Sequence, residues 1–178
     1  MKSFNLTKER KARVWLNDGP ASLQTDKISY KEVVQCEGDF RPLRTAIAVE
    51  LFIPAGGRFL YGLLGVQSFG DSVEKTRIEI PIFSRPPVTH VSDSLASTVD
   101  TVVPWIDDEY HAAILTGAST AARKYAVLPE SIRVCSGHQG LIGSSSKVFR
   151  RLAFICVMLL ATSEEDIGRK IEELVALG

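Results

Sequence analysis

The stretch that most constrains the fold of this chain is residues 134–161, in which a β-branched segment leads through glycines and serines into an apolar helix. Gly137, Gly140 and Gly143 fall within seven residues. Because glycine tolerates positive φ and close backbone approach, this spacing predicts a tight turn. Any of the serines at 144–146 can then serve as the N-cap of the helix.

The helix that follows this turn has a clear apolar pattern. Residues 153–161 are apolar on every side, which is typical of a helix buried in a core. The run is too short to span a membrane and is closely preceded by two arginines. Its larger apolar side chains recur at spacings of four, three and four, which is a helical period: Val148, Leu152, Ile155 and Leu159.

Length and composition favour one globular domain. The chain has 178 residues, of which 45% are hydrophobic and 24% are charged, so we expect a core large enough to fold alone. Residues 1–11 are polar, and we assign them to a loose N-terminal arm. Residues 12–178 are assigned to a single α+β domain.

Charge and cysteine content narrow the classes of function. The 21 basic and 21 acidic residues cancel, which argues against a nucleic-acid binder that uses its whole surface but leaves room for a local basic patch. Cys36, Cys135 and Cys156 give no disulfide framework, and the first residues lack the apolar run of a secretory signal. We therefore predict a cytoplasmic protein that is not held in a membrane.

Strand patterns dominate the first half of the chain. Residues 84–103 are polar and contain two prolines, which predicts a long surface connection with one strand near residues 99–103. Before them, alternating and β-branched segments predict strands over 12–17, 27–37, 43–53, 58–66 and 76–83, with turns at 18–20, 54–57 and 70–71.

Helical patterns dominate the second half. Asp107 and Asp108 can cap a helix that runs to about residue 125, residues 131–135 read as a strand, and Ser163 begins a last helix. Strands followed by helix, strand, helix and helix predict an α+β fold. We expect a split βαβ arrangement in which a mixed, mostly antiparallel sheet carries helices on one face.

Three segments resemble domain IV of translation elongation factor G. Residues 106–117, IDDEYHAAILTG, are similar to the family pattern Ile-Pro-x-Glu-Tyr-x-x-Ala-Val-x-x-Gly, with Asp107 in place of the proline. Residues 137–149 resemble the strand-to-helix turn of the family, and residues 28–32 resemble its entry strand, Val-x-Tyr-Arg-Glu. The resemblance implies the fold of the second domain of ribosomal protein S5, with a left-handed βαβ crossover, and a role in translation on RNA or the ribosome.

The departures from that family bear on function. The glycine-rich tip loop of the family is missing at residues 40–48, its tip histidine falls on Gly140, and its aspartate before the serines is Gly143. The chain also lacks the GxxxxGK[ST] phosphate loop of a GTPase. The resemblance therefore implies an isolated domain of this type and not a translocase.

A second family of the same fold offers an alternative. Kinases of the galactokinase and mevalonate kinase type cradle ATP phosphates with Pro-x-x-x-Gly-Leu-Gly-Ser-Ser-Ala at a helix start. Residues 140–146, GLIGSSS, are similar, but Ile142 interrupts the motif and the upstream proline is absent. Those kinases also have a second domain for substrate. Binding of a nucleotide phosphate at this turn is thus the runner-up hypothesis.

The same turn is the candidate binding site. A helix N-terminus presents free amide groups and a positive dipole end, which favour anions, and basic side chains beside it can hold phosphates. A packing turn and a solvated helix face are the structural alternatives. The predicted site for an anion or RNA consists of Gly140, Gly143, Ser144, Ser145, Ser146, Lys147, Arg150, Arg151, Arg133 and His138.

Other readings of the sequence are weaker. Cys135 and His138 could form an activated nucleophile, but no orienting acid is identifiable, so we assign no catalytic residue. His90 has no neighbour at metal-ligand spacing, and we predict neither a metal nor a cofactor. The acidic run 107–109 reads as a helix N-terminal charge cluster.

A homo-oligomer that pairs through an exposed sheet edge stays open as a third hypothesis.

Overall fold

The computed structural model describes residues 1–17, 19, 25–83 and 90–176. This part of the chain is a mixed α+β structure in which strands predominate. The strands are β1 Lys2–Asn5, β2 Lys11–Leu16, β3 Thr25–Gln35, β4 Ala46–Ala55, β5 Arg58–Val73, β6 Lys75–Phe83, β7 Val102–Val103 and β8 Leu128–Gly140. The helices are α1 His111–Ala122, α2 Ser146–Leu159 and α3 Ile167–Ala176.

The strands of the described residues form one sheet in the order β1-β2-β4-β5-β8-β6-β3, with β7 beside the end of β8. All pairings are antiparallel except that of β6 with β8, which is parallel and joins Ile78 to Ile132. The mixed sheet was expected, but the split βαβ unit was not correct. A split unit would have a strand between β6 and β8. Here β6 pairs directly with β8, and β5 lies on the other side of β8, so the crossover through α1 joins neighbouring strands.

The helices cover one face of the sheet, as predicted. Side chains of α1, α2 and α3 share a single core with alternate residues of the central strands. Within α2, Leu152, Ile155 and Leu159 are fully buried. A Cβ on Gly117 of α1 would lie 2.0 Å from the carbonyl oxygen of Arg150, so α1 and α2 touch at this glycine.

Residues 91–103, here called the covering segment, pack on part of the opposite face of the sheet. Ala96 and Val102 form a small second core with Tyr61. Glu50, only 1% exposed, accepts hydrogen bonds from the backbone N–H of Leu95 (2.8 Å) and from the hydroxyl of Tyr61 (2.9 Å). Desolvation raises the pKa of Glu50 although these donors oppose the shift. The described part of the predicted surface connection is therefore fixed to the sheet.

Two local predictions were wrong. Residues 1–11 are not a loose arm, because Lys2–Asn5 pairs with β2 and Phe4 packs against Gly168 of α3. The predicted turn at residues 70–71 is absent, since β5 continues through an irregularity in which Gly70 takes a φ of +80°. The predicted turn at 18–20 lies outside the described residues except for Gly19. None of the helices in the described ranges is long and apolar enough to cross a membrane.

Truncation of Leu152 tests the position of α2 in the core. Leu152→Ala is expected to lower the free energy of unfolding by roughly 2–5 kcal/mol, because it leaves a cavity between α2 and Gly62 of β5. The matched control is Leu141→Ala, since Leu141 is 64% exposed. Denaturant melts of the two variants give the comparison, and similar losses would contradict this placement.

Candidate nucleic-acid interface

The glycine spacing that suggested a tight turn has another physical cause. β8 extends to Gly140, so Gly137 and Gly140 belong to a strand and only residues 141–143 form the turn. A Cβ on Gly137 would lie 2.0 Å from Ile106, and one on Gly140 would lie 2.1 Å from the carboxylate of Asp100. These glycines therefore let other parts of the chain approach β8 closely.

The amide groups of the turn are already occupied by an internal anion. The backbone N–H of Gly143 donates to the Asp100 carboxylate at 2.8 Å, and that of Ile142 donates to it at 3.1 Å. The N–H of Leu141 donates to the carbonyl of Thr101 at 3.1 Å. Asp100 lies in a polar stretch with no motif spacing, so this role was not predictable from the sequence. An external phosphate at the turn would have to displace its carboxylate.

Two of the three serines hold the turn together. Ser144 accepts a hydrogen bond from the N–H of Gly140 and donates one to the carbonyl of Tyr61, both at 2.9 Å, which ties the turn to β5. Ser145 is the N-cap of α2 and accepts from the N–H of Val148, as the sequence predicted. Ser146 is the first residue of α2 and is exposed.

The basic residues of α2 lie together in a groove of about 420 Å³ between α1 and α2, here called the basic groove. Lys147 and Arg150 are exposed, whereas Arg151 is half-buried. In the described part of the chain, no carboxylate pairs with any of these three cations. The groove is completed by Gly117 and Thr120 of α1, Phe154 of α2 and Leu174 of α3.

Arg151 is the most constrained of the three cations. Its Nη2 atom is buried and makes no hydrogen bond within the described ranges. Burial lowers the pKa of its guanidinium, and the positive charge of Arg10 adds to the effect. Arg10 itself donates to the carbonyl of Val175 at the end of α3. The fold thus holds the Arg151 charge partly buried and close to that of Arg10, which costs free energy. An anionic ligand would offset this cost.

Arg133 does not join this cluster. It alternates along β8 with the core residues Ile132 and Val134, so it lies on the sheet face away from the helices. There it donates two hydrogen bonds to Glu79, at 2.8 and 3.0 Å, and lies over the ring of Phe69. Its charge is therefore compensated within the fold.

Cys135 and His138 lack the properties of an activated pair. Burial raises the pKa of the Cys135 thiol and lowers the pKa of His138 to about 4. An activated cysteine needs the opposite shifts, because a nearby imidazolium stabilises the thiolate. At neutral pH both groups are uncharged, so this arrangement does not favour nucleophilic catalysis.

The acidic run at residues 107–109 fastens the start of α1 to the sheet. Asp107 accepts from the side-chain amide of Gln139 at 2.6 Å, and its own N–H donates to the amide oxygen of Gln139 at 2.8 Å. Asp108 lies 3.7 Å from Nδ1 of His111, which is fully buried and whose pKa is lowered by that burial. This run therefore has a structural role at the helix N-terminus.

Neither metal chemistry nor comparison with known proteins adds a further assignment. Among the residues that the structure describes, no three His, Cys, Asp or Glu side chains come close enough to hold a metal ion. No model of a known protein family matches the chain, and no curated protein matches it significantly. The geometry of the basic groove therefore carries the functional argument.

Asp100 provides a test of the internal anion. Asp100→Asn is expected to lower the free energy of unfolding by about 1–3 kcal/mol, because the charge-assisted bonds to the turn amides are weakened. Amide hydrogen exchange should become faster at Ile142 and Gly143. Asp71→Asn is the control, since Asp71 is exposed on β5. Unchanged exchange at both amides would show that Asp100 does not hold the turn.

Burial of His138 predicts a stability that depends on pH. Its pKa is lowered from 6.5 to about 4 in the folded chain. Between pH 4 and 6.5, His138 is therefore protonated in the unfolded chain but neutral in the folded chain. Stability should therefore rise with pH from about 4 to 6.5, by about 3 kcal/mol from this group. His138→Gln should reduce that rise without abolishing it, because the pKa of His111 is lowered too. Denaturant melts across this range provide the measurement, and an identical slope in the variant would contradict the assignment.

Proposed function

We propose that this chain is a non-enzymatic binding module that holds the phosphates of single-stranded RNA, free or on a ribosomal surface, in the basic groove. The observation that carries the proposal is the convergence of Lys147, Arg150 and Arg151 on one groove without a carboxylate partner among the described residues. Phosphate oxygens are the natural partners of such a cluster.

The walls of the groove support a ligand that is more than a phosphate. Phe154 and Leu174 add apolar side chains to the lining that the three cations share. Nucleic-acid bases stack on aromatic side chains while basic side chains follow the backbone, and this combination suits single strands whose bases are free. A base on Phe154 with its phosphate at Arg150 uses both features.

The resemblance to elongation factor G domain IV points the same way. It implies the S5 second-domain fold and a cytoplasmic role in translation. The observed order of β6, α1, β8 and α2 is compatible with the fold part of this resemblance. Apart from Leu174 of α3, the groove is lined by the two helices on which the clearest matches lie. The kinase alternative is disfavoured, because the Asp100 carboxylate already accepts hydrogen bonds from the backbone N–H groups that a nucleotide phosphate would need.

One observation favours a homo-oligomer as a second candidate. β3 is an edge strand of eleven residues that leaves Ile28, Tyr30 and Val33 exposed. Such an edge can pair with a second copy. Irregularities in its pairing with β6, at Thr25/Lys27 and Ile28/Tyr30, oppose a regular continuation of the sheet. We therefore rank this candidate below RNA binding.

The test is a salt titration of binding to a fluorescently labelled single-stranded RNA, followed by anisotropy. If the three cations contact three phosphates, log K should fall against log salt concentration with a slope of about −2. The double variant Lys147→Glu, Arg150→Glu should bind at least roughly tenfold more weakly and with a shallower slope.

The control variant carries the same change in net charge elsewhere. Lys31→Glu, Lys75→Glu alters exposed lysines on β3 and β6, outside the groove. It should retain most of the affinity. Equal losses in the two variants would indicate a nonspecific charge effect, and no binding by the native chain would refute the proposal.

A further inference from the structure

A second cavity, of about 220 Å³, lies at the junction of β4, β5 and β8. Ala48 and Gly65 form its floor, and Cys135, Ser136, Gln67 and Asn17 lie around it. The floor residues alternate along β4 and β5 with core residues that face the helices. The cavity therefore opens on the sheet face away from the helices and is separate from the basic groove.

An irregularity in the sheet lies beside this cavity. Gly65 pairs with Ser136 and Val66 pairs with Val134, so Cys135 is an extra residue on β8. Such a β-bulge redirects the side chains next to it and is common beside binding sites. A Cβ on Gly65 would lie 2.1 Å from the Ser136 hydroxyl, so only glycine leaves room for that hydroxyl over the floor.

Ser136 is the strongest indication of a ligand. The residue is 1% exposed, and its Oγ makes no hydrogen bond of normal geometry within the described ranges, although a weaker contact with the Cys135 thiol opposes the rise that burial causes in the pKa of that thiol. A buried hydroxyl that lacks a full hydrogen bond costs free energy, and native proteins rarely contain such a group. Because Ser136 lines the cavity, a molecule bound there can supply the missing partner.

The other groups around the cavity define the chemistry of that molecule. The carboxamides of Gln67 and Asn17 offer both donors and acceptors, and neither side chain makes a hydrogen bond to any described residue. None of the described lining residues is charged. A charged ligand would lose hydration here without gaining a partner of opposite charge, whereas a neutral amide can donate and accept at once.

We propose that this cavity, here called the amide site, binds a small neutral molecule that carries a primary amide group. The amide oxygen accepts from the Ser136 hydroxyl, and the amide nitrogen donates to the side-chain oxygen of Gln67. The remainder of the molecule lies on Ala48 and Gly65. This proposal is independent of RNA binding, because the two sites use different residues on opposite faces of the sheet.

Cys135 provides a reporter for the amide site. It is the half-buried cysteine at the cavity, whereas Cys36 and Cys156 are buried elsewhere. Alkylation of Cys135 by iodoacetate at mildly alkaline pH, followed by mass spectrometry, is measured in the presence of benzamide or of benzoate. These probes have the same ring and differ in amide against carboxylate. Benzamide should slow alkylation in a saturable manner, and benzoate should not.

Variants identify the groups that bind. Ser136→Ala and Gln67→Leu should each raise the benzamide concentration needed for protection roughly twofold to tenfold, which is the effect of one hydrogen bond. Ser29→Ala, on the exposed part of β3, is the matched control and should leave the benzamide concentration needed for protection unchanged. Gln67 is half-buried at the surface, so its variant gives a result even if Ser136→Ala folds poorly.

The possible results are separable. Protection by benzamide that both variants weaken supports the amide site, and it should persist in Lys147→Glu, Arg150→Glu even if RNA binding is lost. Absence of protection, equal protection by benzoate, or protection that neither variant changes would overturn the proposal.

Discussion

The packing of α2 against the sheet and against α1 is the constraint on which the rest of the structure depends. Gly62 of β5 leaves room for Leu152 and Phe149, and Gly117 of α1 lets the two helices touch at Arg150. A side chain on Gly117 would force the two helices apart, and one on Gly62 would displace the Leu152 side chain, since protein interiors have few voids to absorb the shift. The same contact sets the position of the basic groove, because Gly117 forms its wall where α1 approaches the cationic turns of α2.

The covering segment decides which surfaces are available to ligands. Its first half is held by the buried carboxylate of Glu50, and its second half supplies the carboxylate of Asp100 to the turn before α2. A helix N-terminus of this kind attracts anions through its free amides and its dipole. Here the fold satisfies that attraction internally. The proposed phosphate site consequently lies along the side of α2, where no carboxylate among the described residues pairs with the cations.

Two buried polar atoms that lack a hydrogen bond of normal geometry within the described ranges lie at two different surfaces. The Nη2 atom of Arg151 lies at the basic groove, and the Oγ atom of Ser136 lies at the cavity on the other face of the sheet. His111 is also buried without hydrogen bonds, but it packs edge-on against Tyr30 and Phe83 and lines neither cavity. The first two groups therefore carry functional proposals, whereas His111 is a structural residue of the α1 packing.

The sequence by itself determined the elements whose signal is local. The period of Val148, Leu152 and Ile155 identified the buried helix, Ser145 was among the predicted caps, and the alternation in β6 predicted a strand. Tertiary structure decided what depends on distant partners. Gly140 belongs to β8 because it pairs with Val102 of β7, and residues 2–5 form a strand because β2 offers an edge. Arg133 is separated from Arg150 because it lies on the sheet face away from the helices, where it pairs with Glu79. A local pattern reports which side of an element is buried, but the partner that buries it is chosen by the whole chain.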